Sequence, residues 1–294
     1  MRLVRLLILT IAGVLALATA HAQQPTKAAT HNYAGFDAND YPGDDQLAEL
    51  HKHFAFTGYW LNNPPGADHN PWVGKRDALK RAGFGFLVVF NGRLDKEILQ
   101  AQKAGKLPAA LAGEDAATAV AAARREGFPG GTIIFLDQEE GGRMLPEQAA
   151  YLLAWTEAVA GSGYRPGVYA SGQPVPDEDE NGRHITITTI EDIRAHVAAQ
   201  HLHTIAFWVA RDNCPPAPGC VADAARLPAP DLSGTLDADA WQYAQSPRRK
   251  SITQACAATY SRDSNCYMPD AGPALARYTL DLSVSASPDP SRGH

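Results

Sequence analysis

The stretch "GTIIFLDQEEGG", residues 131–142, runs Ile133, Ile134, Phe135 and Leu136 straight into Asp137, Gln138, Glu139 and Glu140. A short apolar run between glycines, rich in β-branched and aromatic residues, predicts a buried strand. Successive side chains on a strand point to opposite faces. Ile133, Phe135, Asp137 and Glu139 therefore share one face, with the apolar pair deeper and two carboxylates at the exit.

The same kind of strand recurs along the chain. Candidates are "YAGFDAN" (33–39), "FAFTGYWL" (54–61), "GFLVVFN" (85–91), "GTIIFLDQE" (131–139), "RPGVYAS" (165–171), "TIAFWVAR" (204–211), "AWQYAQ" (240–245) and "RYTLDLSV" (277–284). Amphipathic stretches with helix punctuation separate them. Asp44 and Asp45 can cap "QLAELHKH", Pro146 occupies a first-turn position before a run that stops at Gly161, and Thr188 or Thr189 precedes "IEDIRAHVAAQ". Gly83, Gly105 and Gly127 follow helical runs. Eight strands with helices between them in about 250 residues predict an α/β fold, a (β/α)8 TIM barrel, irregular in its Pro-rich last crossovers. A doubly wound open sheet is the runner-up, but no Gly-rich dinucleotide fingerprint follows the first strand.

At the start of the chain, Arg2 and Arg5 precede an apolar run from Leu6 to Ala18 and the small-residue site Ala20-His21-Ala22. That is the pattern of a secretory signal peptide over residues 1–22. The expected product is secreted or periplasmic, without a membrane anchor. It comprises one barrel domain over residues 30–285 and a flexible tail over 286–294. Loss of Arg2 and Arg5 takes the formal charge from −6 to −8, a balance unsuited to a nucleic-acid partner.

Cys214, Cys220, Cys256 and Cys266 all lie in the C-terminal third. In an oxidising compartment they are expected to pair. Three connectivities are possible, and proximity in sequence favours Cys214–Cys220 and Cys256–Cys266. Zinc is the rival reading, and neither spacing is CxxC. The His51/His53 and His201/His203 pairs fall at predicted helix ends and read as solvated or capping side chains. No metal and no cofactor are expected.

Barrel sites lie at the C-terminal ends of the strands, where this chain places acids. Asp37 closes the first predicted strand, Asp137 and Glu139 the fourth, and Asp281 falls late in the eighth. Residues two apart on a strand have Cα atoms roughly 6.5–7 Å apart, so both carboxylates of the D-x-E pair can address one bond. Glycosidic cleavage needs a proton donor of raised pKa and a second group that attacks, activates water or stabilises the developing cation. If Asp137 is deeper and ionised, its charge keeps Glu139 protonated for donation. Gln138 and Glu140 face the other way, which makes Glu140 a loop or salt-bridge residue.

Tyr59, Tyr169, Trp208, Trp241 and Tyr243 fall within or near strand ends and are candidates for stacking on sugar rings, with core packing as the competing role. Arg211, directly after "FWVA", is a candidate partner for a site carboxylate or a substrate acid. The acidic run "PDEDENGR" after the fifth strand reads as a solvated loop.

The succession "GFDAND", "FLDQE", "GVYAS", "FWVAR", "WQYA" and "LDLS" resembles the strand motifs of family 25 glycoside hydrolases, secreted lysozymes that cleave peptidoglycan. It is more similar still to the secreted glycoside-hydrolase-like proteins grouped as domain-of-unknown-function family 1906. The resemblance spans nearly all of the chain after the leader. It implies a (β/α)8 barrel with acids on strands one, four and eight around a groove. By position, Asp37 matches the first-strand aspartate, Asp137 and Glu139 the D-x-E pair, and Asp281 the late aspartate. Trp241, Gln242 and Tyr243 match the W-Q-Y strand and are implied to contact substrate. The resemblance also implies Glu139 as general acid, with Asp137 supporting attack by the sugar's own N-acetyl group. "GYWLNN" and "VVFNG" depart from the lysozymes' "KATEG"-like and "YHF"-like segments. Two functions stand on this reading: a hydrolase of peptidoglycan or another N-acetylated glycan, and a non-catalytic glycan or cell-envelope binding module on the same barrel.

Overall fold

The computed structural model describes residues 31–212, 227–246 and 278–294. The expected leader and Cys214, Cys220, Cys256 and Cys266 lie outside them. Strands β1 (Tyr33–Asp37), β2 (Phe56–Trp60), β3 (Gly85–Asn91), β4 (Ile133–Gln138), β5 (Arg165–Ser171), β8 (Ala206–Ala210), β9 (Ala240–Ala244) and β10 (Asp281–Ser285) close into a barrel in the order β1-β10-β9-β8-β5-β4-β3-β2. The eight-stranded α/β barrel expected from the sequence is thus present. One strand departs from the all-parallel pattern: β10 runs antiparallel to both β1 and β9.

Helices α1 (Leu47–Leu50), α2 (Arg76–Arg81), α3 (Asp95–Lys103), α4 (Pro108–Arg125), α5 (Pro146–Gly161) and α6 (Thr189–Gln200) connect the strands. Pro146 opens α5, where its missing N–H costs nothing. Thr188 caps α6 reciprocally: its Oγ1 accepts from Glu191 N at 3.1 Å, and Glu191 accepts from Thr188 N at 2.8 Å. The helix after β1 is shorter than "QLAELHKH" suggests, a 3-10 turn and then one α-turn. Asp44 does not cap it, because its carboxylate instead accepts from Tyr41 and Lys75.

Bulky and minimal side chains alternate around the barrel interior. Phe56 on β2 fills space over Gly35, where a Cβ would lie 2.0 Å from its ring. Phe135 on β4 fills space over Gly167, where a Cβ would come within 2.6 Å. Both rings are fully buried, and truncating such a phenylalanine costs about 3–5 kcal/mol. Phe135 also meets Trp208 edge-on at 6.1 Å.

Two segments read as irregular from sequence are built into the fold. The acidic run forms a hairpin, β6 (Val175–Glu178) with β7 (His184–Ile187), in which Asp179 accepts from the main chain of Asn181 and Arg183. Residues 286–294, expected to fray, dock at the N-terminal end of the barrel. Ser291 N donates to Phe86 O and Ser291 O accepts from Ile133 N, so this segment hydrogen-bonds to both β3 and β4. Gly293 O accepts from buried Arg76 at 2.6 Å. Among the described residues no helix is long and apolar enough to cross a membrane.

Candidate functional site

Strand register assembles the mouth of the barrel. Asn91 lies beside Asp137 across β3–β4, Asp137 beside Tyr169 across β4–β5, and Tyr169 beside Trp208 across β5–β8. Asp37 faces Asp281 directly across β1–β10. Neighbours in such ladders stand about 5 Å apart, so residues scattered over 245 positions of sequence form one cluster.

Asp37, Trp60, Tyr169, Trp208, Gln242 and Asp281 line a central depression. Two cavities open beside it, and Glu139 lines both. One, of about 410 Å³, includes Asn62, Asn91, Arg93 and Asp137. The other, of about 520 Å³, includes Tyr169, Ser171, Arg211 and Asp212. Tyr169 lines this second cavity and the central depression alike, so the three form one groove.

The two carboxylates of the D-x-E pair have different surroundings. Asp137 is 5% exposed, whereas Glu139, one residue past the end of β4, is open to solvent at the groove. Gln138 between them points out of the barrel and hydrogen-bonds Glu140. Glu140 in turn accepts from Asp95 N at 2.9 Å, at the start of α3. The alternation expected from the sequence therefore holds through Gln138.

A hydrogen-bonded chain crosses the floor. Tyr169 Oη donates to Gln242 Oε1 at 2.8 Å, and Gln242 Nε2 donates to Asp37 Oδ1 at 3.1 Å. Burial, and then the charges of Asp37, Asp137, Asp212 and Glu139, hold the Tyr169 phenol well above its ordinary pKa, which makes it a neutral hydroxyl in the working range. Trp208 packs on Tyr169 at 4.6 Å and anchors its Nε1 on Ser283 at 3.1 Å. Asp281 accepts from Ser246 N at 2.7 Å.

Three aromatic residues expected in the groove, Tyr59, Trp241 and Tyr243, face away from it, and a fourth candidate, Arg211, lines it. Tyr59 points out of the barrel, packs on Trp72, Phe86 and Phe128, and donates to Glu126 at 2.5 Å. Trp241 and Tyr243 flank the inward-facing Gln242, so alternation turns them outward; they pack on each other at 5.8 Å. Arg211 does line the groove, but its Nη1 donates to the Ser233 carbonyl at 2.7 Å. It braces the loop there.

The sequence reading missed the Asn62–Asn91 pair, in which Asn62 Nδ2 donates to Asn91 O and Asn91 N donates to Asn62 Oδ1. It also missed Arg93, held bidentately by Asp115 at 2.6 and 2.8 Å. These residues end or follow β2 and β3 in "WLNN" and "FNGR", and a strand's C-terminal end was the available signal. Among the described residues no group of three or more His, Cys, Asp or Glu is placed to hold a metal ion.

The family described as "Rv2525c-like, glycoside hydrolase-like domain" matches residues 54–257. A search of curated proteins gives no match. Among solved structures, an uncharacterized protein from B. stearothermophilus is 19% identical, with a TM-score of 0.50 over 86% of this chain and 95% of that one. The Tat-secreted protein Rv2525c of Mycobacterium tuberculosis, in complex with L-tartrate, is 12% identical, with a TM-score of 0.47 over 86% and 94%. A bacterial lysozyme from Streptomyces coelicolor is 11% identical, with a TM-score of 0.42 over 85% and 90%. At 19% identity the first likeness carries the barrel fold alone.

Proposed function

The chain belongs to the Rv2525c-like, glycoside hydrolase-like domain family, and on that premise we propose that it hydrolyses O-glycosidic bonds in peptidoglycan or a related N-acetylated glycan. Export by the leader over residues 1–22 is part of the proposal, as is a single catalytic domain over residues 30–285.

The observation that carries the reading is the unequal pair on β4. Asp137 is enclosed at the barrel mouth, and Glu139 stands two residues further along at the point where two cavities meet. Glu139 is the general acid, reaching the leaving-group oxygen from the open side. Asp137 is its charged partner and supports the developing positive charge or an N-acetyl group that attacks in place of a protein nucleophile. Asp37 and Asp281 close the far side of the cluster. Tyr169 and Trp208 supply aromatic surface in the groove.

Purified protein and Glu139→Gln are incubated with peptidoglycan and with chitin oligomers, and new reducing ends and pull-down are scored together. New ends from wild type and a loss of about 10²–10⁴-fold in the variant are expected, the usual contribution of a positioned acid. Retention on glycan without new ends from either protein sinks the hydrolase and leaves the same groove as a binding module.

A further inference from the structure

Gln242 is 3% exposed and stands between two groups that differ in what they can donate. A primary amide has an acceptor end and a donor end. An ionised carboxylate accepts only, so the NH2 end must face Asp37, as it does at 3.1 Å. The carbonyl end then faces Tyr169, and the phenol proton has to point at it across 2.8 Å. With that proton committed, the Tyr169 oxygen meets a ligand through its lone pairs.

We propose that Gln242 is a positioning residue that holds Asp37 in its ionised form and fixes Tyr169 as an inward donor, so that Tyr169 presents an acceptor to the groove. The surroundings make such a donor consequential. Asp281 faces Asp37 across the β1–β10 ladder, Asp137 lies beside Tyr169 across β4–β5, and Glu139 and Asp212 line the groove with Tyr169. Like charges favour protonating one member of such a group, and a hydrogen bond donated to the charged form opposes this. Protonated Asp37 could instead donate to a flipped amide, whose NH2 would then face Tyr169 and turn the phenol proton toward the groove. Gln242 therefore links the charge of Asp37 to the hydrogen-bonding sense of Tyr169. The consequence for turnover rests on the hydrolase reading, whereas the hydrogen-bond polarity does not.

The test follows the Asp37 carboxyl by 13C NMR titration in wild type, Gln242→Met and Tyr169→Phe, with thermal unfolding to confirm that each is folded. Gln242→Met keeps the volume and removes the donor, and its Asp37 midpoint is expected to rise by about one pH unit, tenfold in proton affinity. Tyr169→Phe frees the amide to flip and is expected to move the midpoint the same way by less. An unchanged midpoint in both folded variants overturns the proposal. Should Gln242→Met fail to fold, Tyr169→Phe decides alone: a rise supports the relay and an unchanged midpoint ends it. Reducing-end assays on the wild-type protein report separately on the hydrolase, so either idea can fall without the other.

Discussion

Asp37 and Asp281 lie directly opposite each other across the antiparallel β1–β10 ladder, both nearly excluded from solvent. Opposed residues in an antiparallel pair project to the same face, so the reversed last strand brings its first residue to the mouth of the barrel. In a parallel strand that first residue would sit at the opposite end. The reversal of β10 is what adds a carboxylate to the site.

Gly58 on β2 makes room for Asp37, because a Cβ there would lie 2.7 Å from the Asp37 Cβ. Gly58→Ala is expected to destabilise the protein by about 1–3 kcal/mol, as overpacking does, and to lower turnover disproportionately by displacing Asp37. Paired thermal unfolding and reducing-end assays check this. Unchanged stability with full turnover would show that the strand yields without cost.

The pH profile separates Glu139 from Tyr169. Burial and surrounding carboxylates raise the Tyr169 phenol well above its ordinary value, so it stays protonated and contributes no loss of activity near pH 10. In the proposed reaction Glu139 is the acid, so the alkaline limb is expected to report its deprotonation. Asp137→Asn removes a neighbouring negative charge, makes Glu139 a stronger acid and is expected to move that limb down by about one pH unit. Tyr169→Phe is expected to leave the limb in place, and coincident limbs for Asp137→Asn and wild type count against the role split.

The strands were legible because their apolar runs are bounded by helix and turn signals, and the D-x-E pair because a period of two ties Asp137 and Glu139 to the face of Ile133 and Phe135. Strand direction was not: "TLDLSV" alternates equally well read either way. Nor was the facing of aromatic residues, since a barrel strand buries both of its sides. In "WQY" the aromatic pair faces outward and the inward residue is the polar one, Gln242. The β6–β7 hairpin did carry a signal, Asn181-Gly182, that the surrounding acid obscured. The site's second half, Asn62, Asn91 and Arg93, left only its position after strand ends.

Tyr59 and Trp241 provide controls that distinguish groove from framework. Tyr59→Phe removes the hydroxyl bonded to Glu126, and Trp241→Phe removes the indole donor to the Arg211 carbonyl at 2.9 Å. Each loses about 0.5–1.5 kcal/mol or somewhat more, as hydrogen bonds to charged and buried acceptors do. Glycan retention is expected to stay at the wild-type level in both and to fall for Trp208→Ala. Loss of retention in Tyr59→Phe at unchanged stability would return that side chain to the groove.

The segment at the opposite end of the barrel makes a stability prediction with no catalytic counterpart. Ser291 is fully buried, its Oγ accepts from Val88 N at 2.8 Å, and its main chain bonds both Phe86 and Ile133. These contacts are mostly main-chain, which is why a polar, Pro-containing stretch without apolar periodicity reads as a frayed end. Ser291→Ala leaves the Val88 N–H buried without that acceptor, at a cost of about 1–3 kcal/mol. For a protein of this size that lowers Tm by roughly 2–4 °C per kcal/mol. Glycan turnover at 25 °C is expected to be unchanged, because the mouth lies at the other end of the strands. A Tm equal to wild type would mean that the main-chain bonds hold the segment without the hydroxyl. A loss of turnover at unchanged Tm would instead reveal coupling between the two ends of the barrel.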